Sequence, residues 1–208
     1  LQKDPNVRAL KETDAYPAMA ERGYGWEKLM SELLCQEYWA ERGMKTAIAR
    51  FHNVYGPFGT WDGGREKAPA ALSRKVIEAK DTGKLEIDIW GDGRQTRSFM
   101  YIDDCTLGID LIMHCDDLIA TPINLGSSEL IAIEDLVSLI EKIGGVELER
   151  THDLDAPLGV AGRNSDNSMI QRILGWEPSI PLQDGLAKTY AWIEQQYADR
   201  KAGKRTVS

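Results

Sequence analysis

Short apolar runs with the period of a strand alternate along this chain with longer stretches of helical period, several of them closed by glycine. That order confines the fold to the α/β class, because strands arriving one at a time between helices build a sheet covered by those helices. The spacing predicts helices over Tyr24 to about Arg42, Pro69 to Ala79, Asp103 to about His114, Glu134 to Ile143, Asn167 to Leu174 and Gln183 to about Tyr197. Strands are expected at 46–51, 85–90, 122–125 and 146–151, the second with strict two-residue alternation. Asp103 and Asp104 read as helix caps, the first 22 residues as polar turns, and the stretch from Ala198 to Ser208 as a fraying tail.

Composition narrows the function. Asp and Glu total 33 against 25 Lys and Arg, for a net charge of -8, which excludes non-specific binding to a nucleic-acid backbone. It leaves room for a small anion gripped by a few local arginines. The opening residues have no signal-peptide pattern, no apolar run is long enough for a membrane span, and a cytoplasmic protein is expected. Cys35, Cys105 and Cys115 make no disulfide framework, and with His52, His114 and His152 they make no metal set.

Several constellations carry chemistry. Tyr24 and Lys28 share a helix face, so the ammonium can favour the phenolate of the tyrosine, although such pairs also arise by chance. Asn53 follows His52 just beyond a strand end, where open α/β sheets bind ligands. The loop from Gly56 to Gly64 leads into Arg65-Glu66-Lys67-Ala68-Pro69; this is either a solvated turn or a closing loop that delivers Lys67 as an acid or base. Lys75 lies two turns beyond Lys67. Arg97, within Gln95-Thr96-Arg97-Ser98-Phe99, and Arg163 each offer a fork that suits a diphosphate.

Taken together, Tyr24-x-x-x-Lys28, the run from Phe51 to Trp61, Gly64 to Ala71, Trp90 to Gly93, Gln95 to Phe99 and Gly162 to Asn167 closely resemble the GDP-mannose 3,5-epimerases. These belong to the extended short-chain dehydrogenase/reductase group, the NAD-dependent epimerase/dehydratase family. The likeness runs from about Leu10 to Tyr197. It implies that Tyr24 takes the proton of the sugar's 4-hydroxyl while NAD accepts the hydride, with Lys28 on the nicotinamide ribose. It further implies that Lys67 exchanges protons at C3 and C5 beside the transient 4-keto group. Asn53, Glu66, Lys67, Ala68, Lys75, Gln95, Thr96, Arg97 and Arg163 match contacts to the nucleotide sugar, Arg97 and Arg163 being its diphosphate partners.

No glycine-rich dinucleotide turn precedes Tyr24, and none of the three cysteines matches the family's second acid/base residue. The expectation is therefore the C-terminal part only of a Rossmann-like extended fold, with a small mixed α/β substrate-binding domain and the glycine-rich N-terminal half absent. Residues 1–60 would end the nucleotide-binding sheet, 61–197 would form mainly the substrate domain with segments returning to the first, and 198–208 a polar tail. The resemblance implies a cytoplasmic NAD-dependent isomerase acting on GDP-mannose or a related nucleotide sugar toward GDP-L-galactose, without nucleic acid, membrane or metal, and a homodimer when full length. The isolated 208 residues are expected neither to bind NAD+ tightly nor to react. The rivals are a nucleotide-sugar 4-epimerase or 4,6-dehydratase, and a non-catalytic nucleotide-sugar binding or interaction module.

Overall fold

The computed structural model of the chain describes residues 9–18, 20, 22–156 and 164–207. In chain order the elements are β1 (Ala9–Leu10), α1 (Arg22–Arg42), β2 (Ile48–Phe51), β3 (Val54–Tyr55), α2 (Ala68–Thr82), β4 (Glu86–Trp90), β5 (Thr96–Arg97), β6 (Met100–Tyr101) and α3 (Ile102–Met113). They continue as β7 (Pro122–Leu125), β8 (Ile131–Ala132), α4 (Ile133–Gly144), β9 (Glu149–Asp153), β10 (Asn164–Ser165), α5 (Ser168–Leu174) and α6 (Leu182–Lys201).

The strands form pairs. β1 with β10, β2 with β7, β3 with β6 and β4 with β9 are parallel, and β5 with β8 is antiparallel. Parallel partners so distant in sequence require crossovers, and helices supply them. The β2–β7 register sets Ile48 against Pro122 and Phe51 against Leu125, so both strands end on the same edge.

Two apolar cores hold these pairs. In the first, α2, α4 and α6 bury Val76, Leu136, Ile140, Leu186 and Ile193 against Ile87 and Ile89, the inward-facing residues of β4. In the second, Ile123 and Leu125 of β7 pack with Ile112 of α3 and Ile170 of α5. Ile102 packs against both. The helical period is visible in α4, where Leu136, Val137 and Ile140 are fully buried. By contrast, Trp26, Met30, Leu33, Leu34, Tyr38 and Trp39 of α1 remain exposed.

The fold class needs correction. The α/β pattern, expected as a C-terminal part that follows 22 polar, turn-like residues, extends from Ala9 to Lys201. Residues 9–12, within the stretch read as polar turns, are stitched into the sheet. Leu10 pairs with Ser165, and its carbonyl accepts from the Asn124 amide at 2.9 Å. The Glu12 carboxylate accepts from the Asn124 backbone N–H at 2.9 Å, and the Glu12 carbonyl from Arg50 at 2.7 Å. A Rossmann-like α/β arrangement therefore occupies nearly the whole chain.

Two local expectations also change. The N-cap position of α3 is Tyr101, not Asp103. The Asp104 carboxylate, buried and hence in need of partners, accepts from the backbone N–H groups of Ser179 and Ile180 at 2.9 and 2.8 Å. The tail does not begin at Ala198 either. α6 runs on to Lys201, whose ammonium pairs with Asp81 at 2.7 Å.

α6 comes close to β3 and β6 through Gly185, where a Cβ would collide with the Tyr55 hydroxyl and lie 2.7 Å from Tyr101 Cδ2. The Tyr55 hydroxyl donates to the Leu182 carbonyl at 3.1 Å, so the ring cannot retreat without losing that bond. Gly185→Ala should therefore destabilise the protein by about 1–3 kcal/mol, read as a lower urea midpoint at unchanged slope. An unchanged midpoint would show that α6 docks more loosely than described.

Candidate functional site

A cavity of about 570 Å³ opens between the start of α2, the outer face of β4 and the β5 strand. Asn53, Glu66, Lys67, Ala68, Lys75, Gln95 and Arg97 line it, together with Asp88, Trp90 and Phe99. Local structure explains how they meet. Lys67 occupies the N-cap position of α2, with a proline in the helix's first turn, so Glu66 and Lys67 stand where the loop becomes helix. Lys75, two turns on, donates to the Asp88 carbonyl at 2.8 Å. Gln95 and Arg97 flank Thr96 on an extended segment, and strand alternation turns Thr96 away from the face those two share. Thr96 is accordingly absent from the cavity lining.

The loop entering α2 is pinned by charge. Arg74 reaches Glu66 at 3.1 Å, Glu78 at 2.9 Å and Asp62 at 3.4 Å. Burial alone would raise the Glu66 carboxyl. The backbone amides of Glu66 and Gly64, together with Arg74, outweigh it and hold the group below its ordinary value. Lys67 is exposed, and its ammonium makes no hydrogen bond or ion pair among the described residues. Arg97 is half-buried, and that burial lowers its guanidinium from the usual value while leaving it charged. Its Nη1 donates to the Thr96 carbonyl at 2.7 Å.

A second cavity, of about 410 Å³, lies at the C-terminal edge of β2 and β7 and includes Arg50, Phe51, His52 and Asn124. That edge is where open α/β sheets hold their ligands. Burial lowers the His52 pKa, so the imidazole is neutral near pH 7. Gly126 makes room for His52: a Cβ there would fall 2.5 Å from the histidine's own. The two cavities adjoin, because Asn53 and Arg97 line both.

Tyr24 and Lys28 stand apart from these cavities. They face each other on α1, with the ammonium 5.2 Å from the ring centroid, and both are exposed. Neither lines either cavity. Arg163 lies outside the described residues. Among the described residues no His, Cys, Asp or Glu group could hold a metal ion, and no helix is long and apolar enough to cross a membrane. Sequence reasoning missed Arg74, Asp88 and Trp90. The signal for the last two was present in the alternation of β4, whose odd face (Ile87, Ile89) is buried and whose outward residues (Asp88, Trp90) meet the cavity.

Comparison with known proteins places this arrangement. Residues 3–126 match the NAD dependent epimerase/dehydratase family. GDP-mannose 3,5-epimerase 1 of Oryza sativa subsp. indica is 45% identical over 200 residues, covering 96% of this chain and 51% of that protein. GDP-mannose 3,5-epimerase of Arabidopsis thaliana is 44% identical over the same share. Among solved structures, the UDP-glucuronic acid 4-epimerase of Bacillus cereus in complex with UDP-glucuronic acid and NAD superposes with a TM-score of 0.77 at 31% identity, over 93% of this chain and 58% of that one. The chain thus spans about half the length of the curated relatives it matches. The expected restriction of the likeness to a C-terminal part is corrected: the family match begins at residue 3, and the similarity to the 3,5-epimerases takes in nearly the whole chain.

The Glu66 carboxyl yields a pH dependence. Its folded value is depressed, so its contribution is complete above the ordinary 4.5 and is lost as the pH falls through the lowered value. Glu66→Gln should cost about 1–2 kcal/mol at pH 7 and flatten the fall in stability below pH 4.5. Urea midpoints measured from pH 7 down to pH 3 check this; parallel curves for the two proteins would refute it.

Proposed function

We propose, from the premise that this chain belongs to the NAD dependent epimerase/dehydratase family, that it serves the NAD-dependent epimerisation of GDP-mannose at C3 and C5, toward GDP-L-galactose, through a transient 4-keto sugar. One observation carries the reading: Asn53, Glu66, Lys67, Lys75, Gln95 and Arg97, drawn from separate segments, converge on one cavity. The adjoining cavity at the β2–β7 edge is the place we assign to the cofactor's nicotinamide end. Hydride exchange needs the two ligands in contact, and the shared residues Asn53 and Arg97 set the two cavities side by side. The neutral His52 adds no competing positive charge to that wall. NAD, when bound, supplies the removal and return of hydride at C4.

The chain's own residues supply position and proton transfer. A carbonyl at C4 acidifies the neighbouring C–H bonds, so a neutral amine near the sugar can take a proton there and leave an enolate, and inversion follows when an acid on the opposite face returns a proton to that carbon. Lys67 takes that role because its ammonium reaches the cavity without a competing partner among the described residues. Arg97 pairs with the diphosphate, and the family resemblance assigns Arg163 the same role. Glu66, Ala68, Lys75, Gln95 and Asn53 complete the grip on the nucleotide sugar, and Thr96, turned away from the cavity, contributes through the strand that carries its neighbours. Tyr24 is assigned the proton of the 4-hydroxyl, and Lys28 the neighbouring cofactor ribose. In this reading residues 1–60 belong to the cofactor side and 61–197 mainly to the substrate side, and the protein works as a homodimer in the cytoplasm.

The reading is tested by incubation with GDP-mannose and NAD+ in D2O, with the product sugars resolved. Deuterium should appear at C3 and C5, and Lys67→Ala should lower its incorporation by about 10²-fold or more while changing GDP-mannose affinity by less than about tenfold. Exchange confined to C4 chemistry would make the protein a 4-epimerase. Tight binding of GDP-mannose without any exchange would make it a binding module.

A further inference from the structure

The loop that delivers Glu66 and Lys67 is held from behind by the far end of the chain. Trp61 sits in that loop and is fully buried, and its indole N–H donates to the Val207 carbonyl at 2.6 Å. The Arg200 guanidinium lies over the same ring, 4.1 Å from its centroid, and pairs with Asp62 next door. The tail is itself tied down: the Val207 N–H donates to Gln196 Oε1 of α6 at 3.0 Å. A second tether joins loop and helix, Phe58 against Trp192 with ring centroids 5.6 Å apart. Phe58, itself largely exposed, adopts φ 66, a left-handed conformation uncommon for phenylalanine.

We propose that Arg200 and the Val207 carbonyl, closed around Trp61, are positioning elements that fix the 56–66 loop and so present Glu66 and Lys67 to the cavity. The inference rests on the reading of that cavity as the nucleotide-sugar site. The physical argument is one of satisfied polarity. A buried indole N–H needs an acceptor, and the tail carbonyl supplies it; without the tail, Trp61 must leave the core or keep an unpaired donor there. Departure of Trp61 carries with it the adjoining Asp62, which shares Arg74 with Glu66. The loop's glycines, Gly63 and Gly64, both at positive φ, offer no stiffness of their own. A disturbance at Val207 is thereby passed through Trp61, Asp62 and Arg74 to the residues facing the substrate.

Amide hydrogen exchange of the peptide covering 56–67, measured beside GDP-mannose titration, tests the clasp. Removing residues 202–208 should speed exchange in that peptide by about tenfold and weaken GDP-mannose binding by a similar factor, with peptides from α4 and β7 unchanged. Val207→Ala keeps the backbone carbonyl and should behave as the parent. Arg200→Lys, which keeps the charge for Asp62 but not the flat stack on Trp61, should fall between parent and Arg200→Ala. If the truncated chain exchanges faster everywhere, Arg200→Ala decides by the same two readouts. Unchanged exchange in 56–67 overturns the proposal, as does faster exchange with unchanged binding. If the parent chain itself does not bind GDP-mannose, the site reading fails, while the exchange result still decides whether the tail holds the loop.

Discussion

Arg74 is the joint on which the site depends. Its guanidinium, half-buried against α2, gathers Asp62 from the loop, Glu66 from the helix entrance and Glu78 from one turn further on. Burial works against its charge, and the three carboxylates outweigh that cost. A glycine-rich loop has no preferred shape. Here its shape comes from a cation planted on a rigid helix, with acceptors supplied by the loop. The cavity's front wall is thus defined by electrostatics, with Trp61 as the loop's apolar anchor. Its rear wall, β4 over the three-helix core, is defined by apolar packing and by pairing with β9.

This division explains what could be read from the sequence. Elements stabilised by their own periodicity were legible: α4, β4 and β7 lie within a residue or two of where apolar spacing puts them. The family resemblance, and no local signal, grouped Asn53, Gln95 and Arg97 with the Glu66–Lys67 entrance; local signals marked only the strand ends and helix starts that carry them. What escaped depends on distant partners. Trp61 and Val207 are 146 residues apart, and nothing in a polar tail announces that it will satisfy a buried indole. Asp104 looked like a cap because acids at helix starts usually are, yet its partners are amides 75 and 76 residues away. Leu10 and Glu12 lie in a stretch without any period and are still tied to the sheet, through bonds to Asn124 and Arg50.

The Tyr24–Lys28 pair shows the limit from the other side. Helical spacing correctly places the two side chains together, and it says nothing about what that face looks toward. Their exposure, like that of Trp26, Met30 and Leu34 on the same helix, is a matter of tertiary placement. Spacing within one helix and convergence between elements are separate kinds of information, and only the second builds a site.

The alternation of β4 has a bearing on how such a site can change. Ile87 and Ile89 point into the core, whereas Asp88 and Trp90 point toward the cavity. Foundation and facing are therefore carried by interleaved residues of a single strand, which share only the position of Ile89. The facing can be rewritten, in charge, size or stacking surface, while the foundation stays as it is. A fold organised in this way can acquire a different ligand preference through substitutions that its stability scarcely registers.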